Sequence, residues 1–357
     1  MGLSDIARSI EANVNRRGIV KRRNEGWLPE LIGYASYGST TSLRVMARAI
    51  MTEPGKSRRR TPYRTRGMHT IVELAALTTQ EAQRGWRQFF TTQVGFLPVT
   101  VEVGTKTIET RTDRSGYVDF VVDDHGLEPG WHDIRITPAA GEAITTPVMI
   151  VKPTTTHGVV SDIDDTIVVT WLPRMLLAAY NSFFLQTNAR REVPGMASFL
   201  NALVADDPDA PVFYLSTGAW NTQPALMEFI GRHGFPMGPM LMTDWGPTPT
   251  GMFRSGQEHK KTQLRNLLIM FPEIDWILVG DDGQHDPLIF DDLAREHPSR
   301  VAGIALRELN TVEQVLSHGT IEATEAQRED LDLERHGIPV IRGRDGEALL
   351  EKISHLR

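Results

Sequence analysis

Cysteine is absent from the 357-residue sequence, which excludes disulfide frameworks, thiolate metal sites and cysteine nucleophiles together. Chemistry must come from carboxylates, hydroxyls, lysine or histidine. Long apolar runs are missing too. Nowhere do about 18 uncharged apolar residues follow one another, and the start, MGLSDIARSI, carries Asp5 where a signal peptide would be apolar. Neither export nor membrane spanning is expected, so the expected location is the cytoplasm. A chain of this length exceeds what one core usually supports, and about two domains are expected.

What is present is unevenly spread. Residues 1–66 hold 14 Lys and Arg against 5 Asp and Glu, a surplus of +9; the net charge of −7 leaves −16 for the remainder. A basic end on an acidic body can attract an anionic membrane surface and hold the protein peripherally, or it can be a solvated face. Basic residues without interleaved aromatics near the candidate site argue against nucleic acid as a partner.

Residues 3–20 carry a helical pattern, and Gly26 to Gly38 a linking stretch. From about Leu43 the period shortens. Val99, Val101 and Val103 alternate with Thr100 and Glu102, the two-residue period of a half-buried strand. Turn signals at Gly104, Asp113 to Gly116 and Pro129-Gly130 separate further strand candidates at Tyr117 to Val122, Trp131 to Ile136 and Pro147 to Val151. Short strands at this spacing predict an antiparallel β-sandwich, with Arg58 to Arg66 a loop in or beside it. The expected divisions are a helical basic segment over 1–37, the sandwich over 38–153, and a second fold over 154–357.

Lys152 to Thr156, KPTTT, breaks the pattern. After it, short apolar runs at Val159-Val160, Pro211 to Leu215, Trp276 to Val279, Val301 to Leu306 and Ile338 to Ile341 alternate with helical stretches. The helices are expected at Met196 to Val204, Pro224 to His233, Lys261 to Met270 and Asp286 to His297. Apolar runs separated by helices are the signature of βαβ units and a parallel sheet. Ligands of such sheets bind beyond the carboxyl ends of the strands, so the residues just past each run matter most.

The first run leads into Ser161-Asp162-Ile163-Asp164-Asp165-Thr166. Crowded carboxylates repel one another unless a cation offsets them, and hard oxygen ligands suit Mg²⁺. Asp162 and Asp164 point to one side of an extended chain, where one can attack and the other move protons. The second run leads into Ser216-Thr217-Gly218, either a phosphate cradle of a hydroxyl and a glycine turn or an ordinary helix cap. His259-Lys260-Lys261 precedes the next helix and offers a point cation, or merely surface lysines. The third run leads into Gly280-Asp281-Asp282-Gly283-Gln284-His285-Asp286, a second acidic cluster that can complete a hard-metal site or stay a solvated turn.

This order of acid pair, hydroxyl, lysine and acid pair resembles the four motifs of haloacid-dehalogenase-type phosphohydrolases. VVSDIDDTI, YLSTGAW, the HK ahead of KTQL, and VGDDGQHDP further resemble the catalytic domain of the actin-patch-protein type of phosphatidate phosphatases, over about Thr156 to Leu306. The resemblance implies an α/β fold in which a haloacid-dehalogenase-like parallel sheet with flanking helices follows the sandwich, and an Mg²⁺-dependent phosphatase acting through an aspartyl-phosphate. It makes Asp162 the nucleophile and Asp164 the acid and base. The Asp162 carboxylate, the Asp164 carbonyl and Asp281 become metal ligands, with Asp286 supporting Asp281 or Lys260. Ser216 and Lys260 are implied to grip the transferring phosphoryl group, with Thr166, Thr217 and Gly218 lining it.

Two positions depart from the family pattern. Asp282 stands where serine is usual, and Leu288 where an acid is usual. The implied substrate is phosphatidate, giving diacylglycerol, or a related phospholipid. A soluble phosphate ester, and an adaptor acting through its sandwich, are the other functions the sequence admits. Trp171 to Leu185 is too short to span a bilayer; it can grip acyl chains or pack on the fold.

Overall fold

The computed structural model describes residues 18–53, 92–169, 191–243, 256–283, 285–310, 313 and 337–356. Most of the 3–20 helix, the Arg58 to Arg66 loop, the Trp171 to Leu185 segment and most of residues 311–336 lie outside these. Two compact units are present; among the described residues the first holds 18–53 and 92–153 and the second begins at Thr154.

The first unit contains β1 (Leu28–Gly33), β2 (Ser36–Gly38), β3 (Ser42–Thr52), β4 (Pro98–Val103), β5 (Lys106–Arg111), β6 (Tyr117–Asp123), β7 (Gly130–Pro138) and β8 (Ile144–Ile150). They form one hydrogen-bonded network in the order β1-β3-β2-β8-β7-β4-β5, with β6 on β3. Every pairing is antiparallel except β2 with β8. Alternation does what the sequence promised: Val99, Val101 and Val103 of β4 and Ile134 and Ile136 of β7 enter one core with Leu43, Val45 and Ala47 of β3. The stretch from Gly26 to Gly38, expected as a link, is instead strand. Leu31 is buried in the same core, so pairing with β3 and burial outweigh the glycines and Pro29 that suggested a linker.

Three basic side chains of this region are used within the unit. Arg44 pairs with Asp119 at 2.6 Å and reaches the Tyr37 hydroxyl at 3.3 Å. Arg48 lies 4.5 Å from the ring centre of Tyr117, and Arg22 lies 4.7 Å from that of Trp27.

The second unit is α/β. Strands β9 (His157–Asp162), β12 (Val212–Ala219), β13 (Met240–Thr243), β14 (Asp275–Asp281), β15 (Val301–Arg307) and β16 (Val340–Gly343) form a wholly parallel sheet in the order β13-β12-β9-β14-β15-β16. Its helices are α1 (Met196–Leu203), α2 (Gln223–His233), α3 (Gly256–Met270), α4 (Asp286–Glu296) and α5 (Gly346–Leu350). A two-residue antiparallel pair, β10 (Val168–Val169) with β11 (Arg191–Glu192), stands apart from the sheet. Helix ends follow their chemistry. Gly234 ends α2 in the left-handed region at φ 72°, and Pro224 and Pro287 sit in first turns, where a missing N–H costs nothing.

Two expectations need correction here. Strand β12 runs through Ser216, Thr217 and Gly218, which are therefore in a strand and not in a turn after it; a shift in its pairing with β13 between Leu215 and Ala219 absorbs the irregularity. Helix α3 starts at Gly256, so His259 and Lys260 lie within it and not ahead of it. The polar first turn hid the start, because periodicity is visible only from Leu264 on.

Candidate active site

Strand β9 is central in the parallel sheet, with β12 on one side and β14 on the other. Its last residue, Asp162, is in register with Leu215, and Val279 of β14 is in register with Ser161. Three chain segments that are far apart in sequence thus end side by side. Apolar side chains bury both faces of these strands, and the polar residues at their carboxyl ends are left to meet one another.

They meet as a closed cluster. One oxygen from each of Asp162, Asp281 and Asp286 lies within 4.8 Å of the others, and all three residues are buried. Lys260 Nζ, itself buried, donates to Asp162 Oδ1 and to Asp286 Oδ1, each at 2.5 Å. Thr166 Oγ1 donates to Asp162 Oδ2 at 3.3 Å. Ser216 Oγ donates to Asp164 Oδ2 at 3.1 Å and accepts from Gly218 N at 2.9 Å. That N–H is already engaged, and the expected cradle of open backbone donors is reduced accordingly. The Thr217 and Gly218 carbonyls accept from Thr243 Oγ1, which ties β12 to β13 at the site. The neighbouring Lys261 faces elsewhere and pairs with Asp292 at 2.5 Å, so of the two lysines only Lys260 joins the cluster.

Local backbone makes the cluster possible. A Cβ on Gly280 would stand 2.6 Å from Asp286 Oδ2 and 2.8 Å from Phe290 Cε2; only glycine lets the first turn of α4 lie against β14. Asp282 is directed away from the trio: its Oδ1 accepts from Leu309 N at 2.8 Å and its N–H donates to the Arg307 carbonyl at 2.9 Å. The extra carboxylate is a loop clamp. Leu288, the other departure, is 40% exposed on α4.

The electrostatics call for a cation. Burial pushes the Asp162 carboxyl well above the ordinary range; Lys260 pulls it back, and Asp286 and Asp164 raise it further. Burial likewise raises Asp281, aided by Asp286 and Asp162. Burial alone would lower Lys260, but Asp162 and Asp286 outweigh it and hold the ammonium charged. Three carboxylates against one lysine leave surplus negative charge in a dry place, which is costly unless compensated. Asp281 Oδ2 and Asp286 Oδ2 are buried with no hydrogen-bond partner among the described residues. Hard, convergent, unsatisfied oxygens fit a divalent cation of the magnesium type.

That fit has a measurable consequence. With raised pKa values, folded Asp162 and Asp281 hold protons that the unfolded chain releases above about pH 4. Stability of the metal-free protein should therefore fall as pH rises out of the carboxylate range, and a divalent cation should reverse the loss. At a hundredfold excess over Kd the cation adds about 2.7 kcal/mol. Melting temperatures with Mg²⁺ or EDTA should diverge more at about pH 8 than at about pH 5; equal gains at both would contradict it.

Comparison with known proteins agrees with the geometry. Residues 157–308 match the family described as phosphatidate phosphatase APP1, catalytic domain. Phosphatidate phosphatase APP1 of Saccharomyces cerevisiae is 29% identical over 163 residues, 45% of this chain and 27% of that protein. An uncharacterised protein of Schizosaccharomyces pombe, C29B5.04c, is 20% identical over 152 residues, 42% of this chain and 25% of that protein. The matched region thus spans about a quarter of the length of these curated relatives. Among solved structures, the carbohydrate acetylesterase XAC1771 of Xanthomonas citri aligns at a TM-score of 0.26 with 7% identity, over 78% of this chain and 68% of that one. At that score the likeness carries no argument. Among the described residues no helix is long and apolar enough to cross a membrane.

Proposed function

We propose, because residues 157–308 match the phosphatidate phosphatase APP1 catalytic-domain family, that the chain is an Mg²⁺-dependent phosphatase that hydrolyses a phosphomonoester through an aspartyl-phosphate. The observation that carries this is the buried meeting of Asp162, Asp281 and Asp286 around Lys260 at the ends of β9, β14 and α4. A carboxylate that must attack a phosphate dianion needs positive charge beside it, and phosphoryl transfer is catalysed chiefly by position and electrostatics. We read the second unit as haloacid-dehalogenase-like and the first as a β-sandwich.

Asp162 attacks phosphorus; the new Asp162 O–P bond forms as the bond from phosphorus to the alcohol oxygen breaks. Asp164, hydrogen-bonded by Ser216, gives its proton to the departing oxygen. It then takes a proton from water, whose oxygen displaces Asp162 from phosphorus and releases inorganic phosphate. Lys260 holds Asp162 in place and neutralises charge on the phosphoryl oxygens. Ser216, with Thr166, Thr217 and Gly218, lines the phosphoryl position. Asp162, Asp281 and the Asp164 carbonyl would hold Mg²⁺, with Asp286 fixing Lys260. When bound, the ion supplies charge neutralisation between nucleophile and substrate.

Phosphatidate, hydrolysed to diacylglycerol, or a related phospholipid is the proposed substrate, as the name of the yeast relative suggests. We also propose that the protein is cytoplasmic and that the amino-terminal basic surplus favours anionic membrane surfaces. Of its described members, Lys21 and Arg23 are exposed. The test is phosphate release from phosphatidate in mixed micelles against a panel of soluble phosphomonoesters, with and without Mg²⁺, at several salt concentrations. Preferential, Mg²⁺-dependent release from phosphatidate that falls with salt is expected. Equal or better turnover of soluble esters would assign the site to a soluble substrate, and no release from any ester would leave the adaptor function.

A further inference from the structure

We infer that Arg307 is a positioning residue for this site: its guanidinium holds the turn that carries the proposed acid and base, without touching substrate or metal. The inference rests on the phosphatase function proposed above. Arg307 ends β15, in register with Asp281 on one side and Gly343 on the other. Its side chain is only 6% exposed. Nη1 donates to the Asp165 carbonyl at 2.7 Å, Nη2 to Glu313 Oε1 at 2.7 Å, and Nε to the Arg344 carbonyl at 3.2 Å. One planar fork therefore joins the turn after β9, the exit of β15 and the exit of β16.

The turn needs such a hold. Asp165 sits at φ 60°, a left-handed conformation that L residues adopt at a cost. Within the turn, Asp165 N donates to the Val168 carbonyl and Ile167 N to the Ile163 carbonyl. Arg307 takes the Asp165 carbonyl with a charge-assisted donor. That carbonyl is one residue past Asp164, whose carboxylate accepts from Ser216. Rotation of this stretch of backbone would carry Asp164 off its proton path. Arg307 is clamped in turn, because Asp282 takes the Leu309 N–H and gives its own N–H to the Arg307 carbonyl. The carboxylate that replaces the family's usual serine holds Leu309, two residues past the arginine.

The experiment compares wild type, R307M, R307K and D162N in Mg²⁺-dependent steady-state kinetics on an ester that the wild type hydrolyses, each below its own melting transition. R307M should lose about 100-fold in kcat, the effect of an ångström-scale misplacement, with KM within about twofold. R307K keeps the charge but not the fork and should recover part of the loss, to about tenfold below wild type. Wild-type kcat in folded R307M or R307K overturns the role. So does a defect confined to KM, which would make Arg307 a substrate contact, or a loss that disappears once the fraction unfolded is accounted for. Should R307M not fold, R307K decides alone. A wild type no more active than D162N on every ester overturns the phosphatase function itself and this role with it, a pattern distinct from an active wild type with unaffected Arg307 variants.

Discussion

Asp162→Asn should cost at least about 10⁴-fold in phosphatase activity, the scale seen when a covalent nucleophile is removed, while leaving a folded protein. The amide keeps the volume of the carboxylate but cannot form a stable acyl-phosphate. It also removes one negative charge from a buried cluster in which burial, Asp286 and Asp164 already hold the Asp162 carboxyl far above its ordinary range. The metal-free variant should therefore melt no lower than the metal-free wild type above about pH 5, where folded wild type must either keep a proton on Asp162 that the unfolded chain releases or ionise it in a buried place. Its gain in melting temperature from Mg²⁺ should shrink, since one of three convergent carboxylates becomes a neutral amide. Phosphate release and paired melts in EDTA and Mg²⁺ check both. Substantial activity in the variant would assign the nucleophile elsewhere.

Lys260→Met should have the opposite signature, losing activity and stability together. Removing the one cation bonded to Asp162 and Asp286 among the described residues leaves buried carboxylates unpaired, and breaking such a pair costs about 3–5 kcal/mol. A lysine whose folded pKa is raised stabilises fully below its unfolded pKa of about 10.4 and loses that contribution only as pH rises through the folded value. The whole penalty is thus expected at neutral pH. It should ease in acid, where the carboxylates take up protons, and ease with Mg²⁺, which supplies charge to the same oxygens. Activity should fall by about 10²–10³-fold, the range for losing one preorganised electrostatic contact to the reacting group. Denaturant unfolding at about pH 5 and about pH 8 with parallel kinetics tests it; a stable, inactive Lys260→Met would make the lysine a substrate contact and not the counter-ion of the cluster.

The two variants separate what one carboxylate does for chemistry from what one ammonium does for both chemistry and folding. Without Lys260 the trio would be an electrostatic fault in the core; without Asp162 the core is relieved and the reaction stops. On the proposed function, stability and activity pull against each other at this site, and a bound divalent cation would reconcile them.

Much of this was legible before any coordinates. Apolar runs at Val159-Val160, Trp276 to Val279 and Val301 to Leu306 became strands because a central parallel strand must be apolar on both faces. The rule that chemistry follows such runs located Asp162, Asp281 and Asp286, and it pointed equally at Arg307, which follows Leu306 directly. Arg307 went unmarked because a lone arginine at a strand end carries no motif; only its three bonds distinguish it. Strand β5, KTIETR, was invisible for a related reason: an edge strand with no fully buried residue has little apolar periodicity to show. Strands β1 and β2 were hidden by Gly33, Gly38 and Pro29, which are local turn signals that pairing with β3 and β8 overrides.

By itself the sequence determined the kind of chemistry. With no cysteine and two acidic clusters behind apolar runs, the sequence pointed to a carboxylate site suited to a hard cation, because residue type sets which groups can attack, ligate or titrate. Tertiary structure alone decided how the members of those clusters meet. Sheet order placed β9 between β12 and β14, set the Nζ of Lys260, the lysine the sequence already favoured over Lys261, between Asp162 and Asp286, and turned the Asp282 carboxylate to the Leu309 N–H. Spacing along a chain cannot specify such contacts, since they depend on which strand ends become neighbours and which oxygen faces which nitrogen at 2.5 Å.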